Sequence, residues 1–401
     1  MTTLTFPRPL MRILSAAALG LASLLGLSHC SPAISDSGTI DALTDDDLAR
    51  ALSRSDGGTI RIGSGAYSAI TIRSYSGQRP LIIESIRADD PARLAGLTIA
   101  GSRNVIVRNV VIQPSRLSSE AAATKGADAL AAVNVRGSSD VTIEGVTLTG
   151  TPQAGAIGNG TGMLIRNSRS IRVIACQFSH FRYGLASLSG DSLQIERNEF
   201  HDLRTDAIRG GGVSNLLIQG NVISNLKPDA GDHPDGVQLW TANETQAARA
   251  ITIRDNLIFR GNGGIIQGIF VRDNKLQLPF EDLEISGNLI VGSMYHGISV
   301  QGGRRLRIIA NEVISVGGQK TWIRLSSVDH ATVIDNRAST FLFTDSRQIE
   351  ERGNKIRSPG SKETRARMTL WLQQHRELTD RPGKLLKSII QDLDLQNPQR
   401  D

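Results

Sequence analysis

The sequence predicts an all-β chain wound as a parallel β-solenoid, and three observations lead there. A short strand-and-asparagine pattern recurs through the middle of the chain. A second apolar column runs in step with it, ten residues upstream. No helical periodicity lies between the repeats.

The repeated unit reads "SLQIERNEF" (192–200), "NLLIQGNVI" (215–223), "AITIRDNLI" (250–258), "DLEISGNLI" (282–290) and "RLRIIANEV" (305–313). Each has alternating apolar residues, then Asn, one spacer and another apolar residue. Alternation in short Gly/Asn-punctuated segments marks strands. The Asn column contains Asn198, Asn221, Asn256, Asn288, Asn311, Asn336 and Asn354, with Val110, Val146 and Cys176 in the same slot of earlier repeats. Short spacings in this column centre on 23 residues, as from Asn198 to Asn221 and from Asn288 to Asn311. A stacked Asn can bond both its neighbour's amide and the buried turn backbone.

The upstream column reads Leu97, Val133, Met163, Leu185, Ile208, Ile298 and Ile323. Its partners ten residues on are Val107, Ile143, Val173, Ile195, Ile218, Ile308 and Val333. Two columns plus room for a third strand give about ten three-strand coils, spaced ~4.8 Å apart by backbone pairing.

The two ends read differently. "TDDDLARALSRSDGG" (44–58) is an amphipathic cap helix, with Thr44 at the N-cap and Asp47 in the capping-box position. The tail from 361 to 401 carries "ARMTLWLQQHREL" and "KLLKSIIQDLDL", whose apolar residues have helical spacing. It predicts one or two helices covering the last coil or lying along the rod. At the start, Arg8 and Arg12 precede "ILSAAALGLASLLGL" (13–27), a charged segment and an apolar run too short to span a bilayer. Residues 1–33 therefore read as an export signal. "LSHC" at Cys30 resembles a bacterial lipoprotein box, with His29 where a small residue is expected, and cleavage after Ala33 is the alternative. The product is expected in the periplasm or outer membrane of a Gram-negative bacterium, with an outer-membrane lipid anchor if Cys30 is modified. Cys176 is the only other cysteine, so burial and backbone pairing must hold the fold.

The three-strand coil, the asparagine column in a short turn and the capped start together resemble the right-handed parallel β-helix proteins of the pectate-lyase-like superfamily. The resemblance covers the domain from about 40 to 360. It implies a polysaccharide-binding groove over the first strand of each coil. The fold itself chooses no chemistry.

Insertions point to one coil. A regular coil has ten residues from the Asn column to the next first-strand core position, as from Asn198 to Ile208. From Asn221 to Val237 there are 16, with the excess in "LKPDAGDHPD" (226–235). From Val237 to Ile253 there are again 16, with the excess in "TANETQAARA" (241–250). The next coil takes Ile266 as its core residue and bulges at "RDNKLQLPFE" (272–281). Earlier coils bulge at 113–130 and 151–160. The stretch "DHPDGVQLW" (232–240) is thus walled on both sides, although Pro-Asp-Gly is also ordinary turn chemistry.

If Ile208, Val237, Ile266, Ile298 and Ile323 point inward, Arg209, Gln238, Gln267, Ser299 and Arg324 point out. Two residues further come Gly211, Trp240, Ile269, Gln301 and Ser326. Substrate binding is expected from Gln238, Trp240, Gln267, Gln301 and Arg324, because Arg matches carboxylates and Trp can stack on a sugar ring. The candidate catalytic groups are Asp235, His233, Arg209 and His296. Asp206 and Asp232, with Asp235, are candidate oxygen ligands for Ca²⁺. Strict alternation turns Asp206 and Asp235 inward, and the sequence leaves their direction open.

The expected activity is β-elimination on an acidic, uronate-containing polysaccharide, with Arg209 or His233 as base. C5 epimerisation, glycoside hydrolysis and non-catalytic glycan binding or surface assembly are the alternatives. Hydrolysis needs two carboxyls, and no adjacent Asp pair stands near "GNGG" (261–264). The net charge of +6 suits a polyanion. No basic run with interleaved aromatics points to nucleic acid.

Overall fold

Parallel pairing between successive coils organises the chain, seen here in a computed structural model that describes residues 38–114, 131–151, 160–375 and 385–389. The export segment, much of the 113–130 and 151–160 insertions and parts of the tail lie outside these residues. One coil runs Ala131–Arg136, Ser139–Glu144 and Thr147–Thr149, and the next runs Thr161–Arg166, Arg169–Ile174 and Gln177–Ser179. They pair in register, Val133 on Met163, Val141 on Ile171 and Leu148 on Phe178. The third strands form a 12-stranded sheet, two more than the ten coils expected. The first and second strands join in a 20-stranded sheet. They join because strands such as Tyr183–Glu196 and Tyr295–Ile309 bend through the corner without breaking.

Both apolar columns line the interior. Leu97, Val133, Met163, Leu185, Ile208 and Val237 are in register and buried. So are Val107, Ile143, Val173, Ile195, Ile218 and Ile253 on the second face. At the corner between third and first strands the interior leaves no room for a side chain. A Cβ on Gly236 would lie 2.8 Å from Ile258 Cδ1 and 2.9 Å from the Gly268 carbonyl.

The asparagines form a continuous ladder. Asn256 shows the pattern. Its Oδ1 accepts from both the backbone N and the Nδ2 of Asn221, each at 2.9 Å. Its Nδ2 donates to the Ile218 carbonyl at 3.0 Å and to Asn288 Oδ1 at 2.9 Å. The same bonds link Asn198, Asn221, Asn256, Asn288, Asn311, Asn336 and Asn354. Cys176 stands above the ladder, with its backbone N donating to Asn198 Oδ1 at 2.9 Å. Burial pushes its thiol up to about 12, so it is an inert core group. A shorter ladder of Ser102, Ser138 and Ser168 lines the corner between first and second strands, where each hydroxyl accepts a backbone N–H from the coil before.

The cap helix Asp45–Arg54 begins as expected. Thr44 Oγ1 accepts from Asp47 N at 3.1 Å, and the Leu43 N donates back to Asp47 Oδ2 at 3.3 Å. The tail lies along the rod. Met368, Trp371 and Leu372 of the helix Ser361–Gln374, with Leu385, Leu386 and Ile389, cover Val222, Leu257, Leu289, Val291 and Ile314 on the outer side of the 12-stranded sheet.

Two stability predictions follow from the ladder. Asn256→Leu strands two N–H donors and a carbonyl in the turn. It should cost about 1–3 kcal/mol in urea unfolding, and an unchanged midpoint would count against the ladder's role. Cys176→Asn extends the ladder by one rung, because Cys176 Sγ already lies 3.5 Å from the Ile143 carbonyl that an Asn amide would donate to. It should hold or raise the unfolding midpoint, whereas a clear loss would mean the slot is shaped for sulfur.

Candidate active site

The first strands of three successive coils build the site. They are Ile208–Gln219 in its first half, Asp235–Trp240 and Gln267–Arg272. Pairing sets Arg209 beside Gln238 and Gly211 beside Trp240. It also corrects one expectation. Val237 pairs with Ile269, not Ile266, and Gln238 pairs with Phe270, not Gln267. The outward rows are therefore Arg209, Gln238, Phe270, Ser299 and Arg324, and Gly211, Trp240, Arg272, Gln301 and Ser326. Ile269 is core, and Gln267 moves back three positions to stand opposite Asp235. Ile266 is also buried and bridges to Ser293. Two buried isoleucines three residues apart gave the ten-residue spacing two answers. The equal spans from Val237 to Ile253 and from Ile269 to Ile285 were the signal for the right one.

Asp206 and Asp235 are both buried, at 4% and 1% exposure. Asp235 starts its strand and Asp206 lies two residues before the neighbouring one, and the Asp235 backbone N donates to Asp206 Oδ1 at 3.1 Å. Arg209 Nη1 lies 3.1 Å from Asp206 Oδ2. Gln238 Nε2 donates to Asp235 Oδ2 at 2.7 Å. Asp235 Oδ1 is buried and has no hydrogen-bond partner among the described residues. Burial pushes the Asp235 carboxyl well above the ordinary carboxylate range, and the neighbouring Asp206 adds to this. Asp206 is raised too, by burial, against the opposing pull of Arg209. Burial and the neighbouring Asp206 both favour the proton on Asp235, while Arg209 favours the charge on Asp206.

Arg209 is held on three sides. Its guanidinium carbon lies 4.1 Å from the Tyr183 ring centre and 4.7 Å from the Trp240 ring centre, besides the contact to Asp206. The Trp240 indole lies over Gly211, where an added Cβ would meet Trp240 Nε1 at 2.8 Å and Glu244 Oε1 at 3.0 Å. Glu244 comes from the loop after the strand, and burial raises its carboxyl. The next loop is fastened by buried Asp273, which accepts from Thr241 Oγ1 at 2.8 Å and Leu278 N at 2.8 Å. The 241–250 and 272–281 insertions are thus tied together beyond the ends of these strands.

The remaining predicted residues divide. Asp232 does not join Asp206 and Asp235. Its carboxylate accepts from Arg204 Nε at 2.7 Å and Asp229 N at 3.0 Å, and Arg204 holds it below the ordinary range. No three His, Cys, Asp or Glu residues converge among the described residues. These acids do not fit Ca²⁺, which takes six to eight oxygens. His233 is exposed in the same turn. His296 lies two coils from Asp235 on the same face. Its Nδ1 faces Trp322 Nε1 at 3.3 Å, and because an indole N–H only donates, Nδ1 is the acceptor and Nε2 carries the hydrogen. Burial, then Arg324, keeps this imidazole neutral to lower pH than usual. Gln301 and Arg324 hold their expected places. Tyr183, Glu244, Phe270, Arg272, Tyr295 and Trp322 were not singled out by the sequence reading.

Residues 131–313 match the family model described as "Right handed beta helix region". The structure is similar to the Dettilon tailspike protein, with a TM-score of 0.59 at 13% identity over 80% of this chain and 68% of that one. It is also similar to an alginate lyase from Paenibacillus sp. str. FPU-7, with a TM-score of 0.50 at 12% identity over 78% of this chain and 99% of that one. A comparison with curated proteins finds no match. At these identities the likeness establishes the fold. The chain is a right-handed parallel β-helix protein, as the resemblance implied.

The raised Asp235 carboxyl has a measurable consequence. The unfolded chain releases the Asp235 proton near pH 3.9, and the native state keeps it to higher pH. This contribution to stability is full below that pH and is lost as pH rises through the native value. Asp235→Asn removes it. The melting temperature of the variant should gain on the wild type as pH rises from about 4 to about 7, and parallel curves would mean Asp235 titrates normally.

Proposed function

We propose that the protein is an exported enzyme that cleaves an anionic polysaccharide on the first face of its β-helix, by hydrolysis. One observation carries this reading: two buried carboxyls on adjacent coils lie beneath Arg209 and Gln238, one paired with the guanidinium and the other bonded to the amide. The sequence reading set hydrolysis back because no Asp pair is adjacent in the chain. Stacking supplies the pair from Asp206 and Asp235, which are 29 residues apart.

Asp235 is the proton donor. A glycosidic oxygen replaces the Gln238 amide as its partner, after rotation of that half-buried side chain, and takes the proton as the bond to the sugar carbon breaks. Water attacks that carbon and gives its proton to Asp206, whose negative charge Arg209 stabilises. A carboxyl that burial pushes well above the ordinary carboxylate range is suited to the donor role. Arg136, Arg166, Arg209, Arg272 and Arg324 occupy the outward rows of this face, which suits a chain bearing carboxylates. Export and attachment through Cys30 belong to the proposal and rest on residues 1–33.

β-Elimination is the second reading. The same arginines favour it, because they can neutralise a uronate carboxylate. Its expected bases fare worse. Arg209 is ion-paired and a guanidinium keeps its proton, and His233 is exposed in the turn.

A panel of uronate polymers separates the outcomes. Hydrolysis predicts new reducing ends without ultraviolet absorbance of an unsaturated product. Asp235→Asn and Asp206→Asn should each lower turnover by roughly 10²–10⁴-fold with the fold retained. Rising absorbance would replace hydrolysis with elimination, and binding without either product would leave a glycan-binding protein. Mass spectrometry of the N-terminus of the exported protein should find a lipidated Cys30 or a new terminus near Ala33. A retained Met1 or Met11 would contradict export.

A further inference from the structure

We propose that Tyr295, Trp322, His296 and Phe270 form a sugar-binding ledge on the first face that begins beside the acid pair and runs away from it, and that it holds the extension of an acidic polysaccharide running along the rod axis. This rests on the reading of the first face as a glycan groove and deepens it. Aromatic residues make up only 4% of the chain, yet Phe270, Tyr295 and Trp322 gather on three successive coils. The Tyr295 and Trp322 rings lie 5.0 Å apart at 33°. His296 meets Trp322 edge-on at 5.8 Å and Phe270 at 5.3 Å. The four rings thus make one continuous surface.

The backbone turns this surface outward. Tyr295 has φ of 57°, a left-handed conformation shared by other corner residues of the chain such as Ala250, Asp282 and Arg305. A register shift between His296 and Ile298 follows directly. The result is a tyrosine 47% exposed, one of few large apolar side chains in the open.

The chemistry of the ledge selects its ligand. Flat rings beside hydrogen-bonding groups suit the face of a pyranose. His296 Nδ1 is taken by Trp322, so its Nε2–H is the donor that remains. Arg324, next to Ser299 and one coil along from Gln301, offers a guanidinium to a carboxylate. The rings stand one to three coils from Asp235, with Tyr295 two coils or ~10 Å along the axis. That distance suits a chain engaging both places at once and lets the ledge add affinity for long substrates only.

Calorimetric titration of the full chain with an oligogalacturonate trisaccharide and hexasaccharide tests this. Wild type should bind the hexasaccharide more tightly. Tyr295→Ala and Trp322→Ala should weaken the hexasaccharide about tenfold and leave the trisaccharide unchanged, while Trp322→Phe, which keeps a ring, retains most of the affinity. Tyr295 is exposed, so its removal should leave the melting temperature unmoved. Hexasaccharide affinity unchanged in Tyr295→Ala, or both lengths weakened alike, would overturn the ledge and leave the acid-pair site standing. If neither length binds the wild type, the uronate-groove reading falls and the ledge falls with it. Hexasaccharide binding that depends on Tyr295, without cleavage, would support the ledge and contradict hydrolysis.

Discussion

The asparagine ladder is the constraint on which the rest of the structure depends. Each coil must turn sharply between its second and third strands, and that turn buries backbone N–H and C=O groups that no strand can pair. Each Asn amide satisfies two of them, and its oxygen also accepts from the amide of the coil before. These are buried bonds whose loss is expensive, and each links two coils in one alignment. A slip of one residue would turn core residues to solvent. Because the ladder forbids the slip, it also decides which residues of the first strand face out. Arg209, Gln238 and Arg324 share a row because asparagines on another corner are stacked.

This explains what was legible in the sequence. A buried position that demands one residue type leaves a column that can be read, and Asn198 to Asn354 did so. Apolar columns at fixed spacing gave the second face without error. The Thr44 cap with its Asp47 partner was readable because capping is local. Loop lengths are under no such demand, so the first strand of the coil after Trp240 was placed on Ile266 instead of Ile269, and Phe270 and Arg272 were missed. Direction was also hidden. Strand alternation alone turns Asp206 and Asp235 inward, yet their carboxyls meet the outward-facing Arg209 and Gln238. Asp232 looked like their companion by proximity in sequence. Arg204, 28 residues earlier, claims it instead.

The acid pair makes little sense as a device for stability. Replacing buried ionic groups by well-packed apolar ones is often neutral or stabilising, and Asp235 Oδ1 is left without a partner among the described residues. The chain keeps two buried carboxyls and a guanidinium caught between two aromatic rings on one face of the rod. Departures from local rules that gather in one place are the usual mark of a working surface. The opposite faces show the contrast. There the side chains form ordinary cross-coil ion pairs such as Arg305–Asp282 and Arg347–Asp329, or pack under the tail.

The account therefore stands on the register of the first face, and an engineered cross-link reads that register directly. Outward residues paired on adjacent strands lie ~4.8 Å apart at Cα, within the range that a disulfide spans. In the doubly substituted chain Gln238→Cys, Phe270→Cys, mild oxidation followed by peptide mapping should find the two positions joined. The pair Gln238→Cys, Gln267→Cys should remain reduced. Efficient joining of 238 to 267 with none to 270 would mean that the coils align as the bare spacing suggested, and the rows that assemble the site would have to be redrawn.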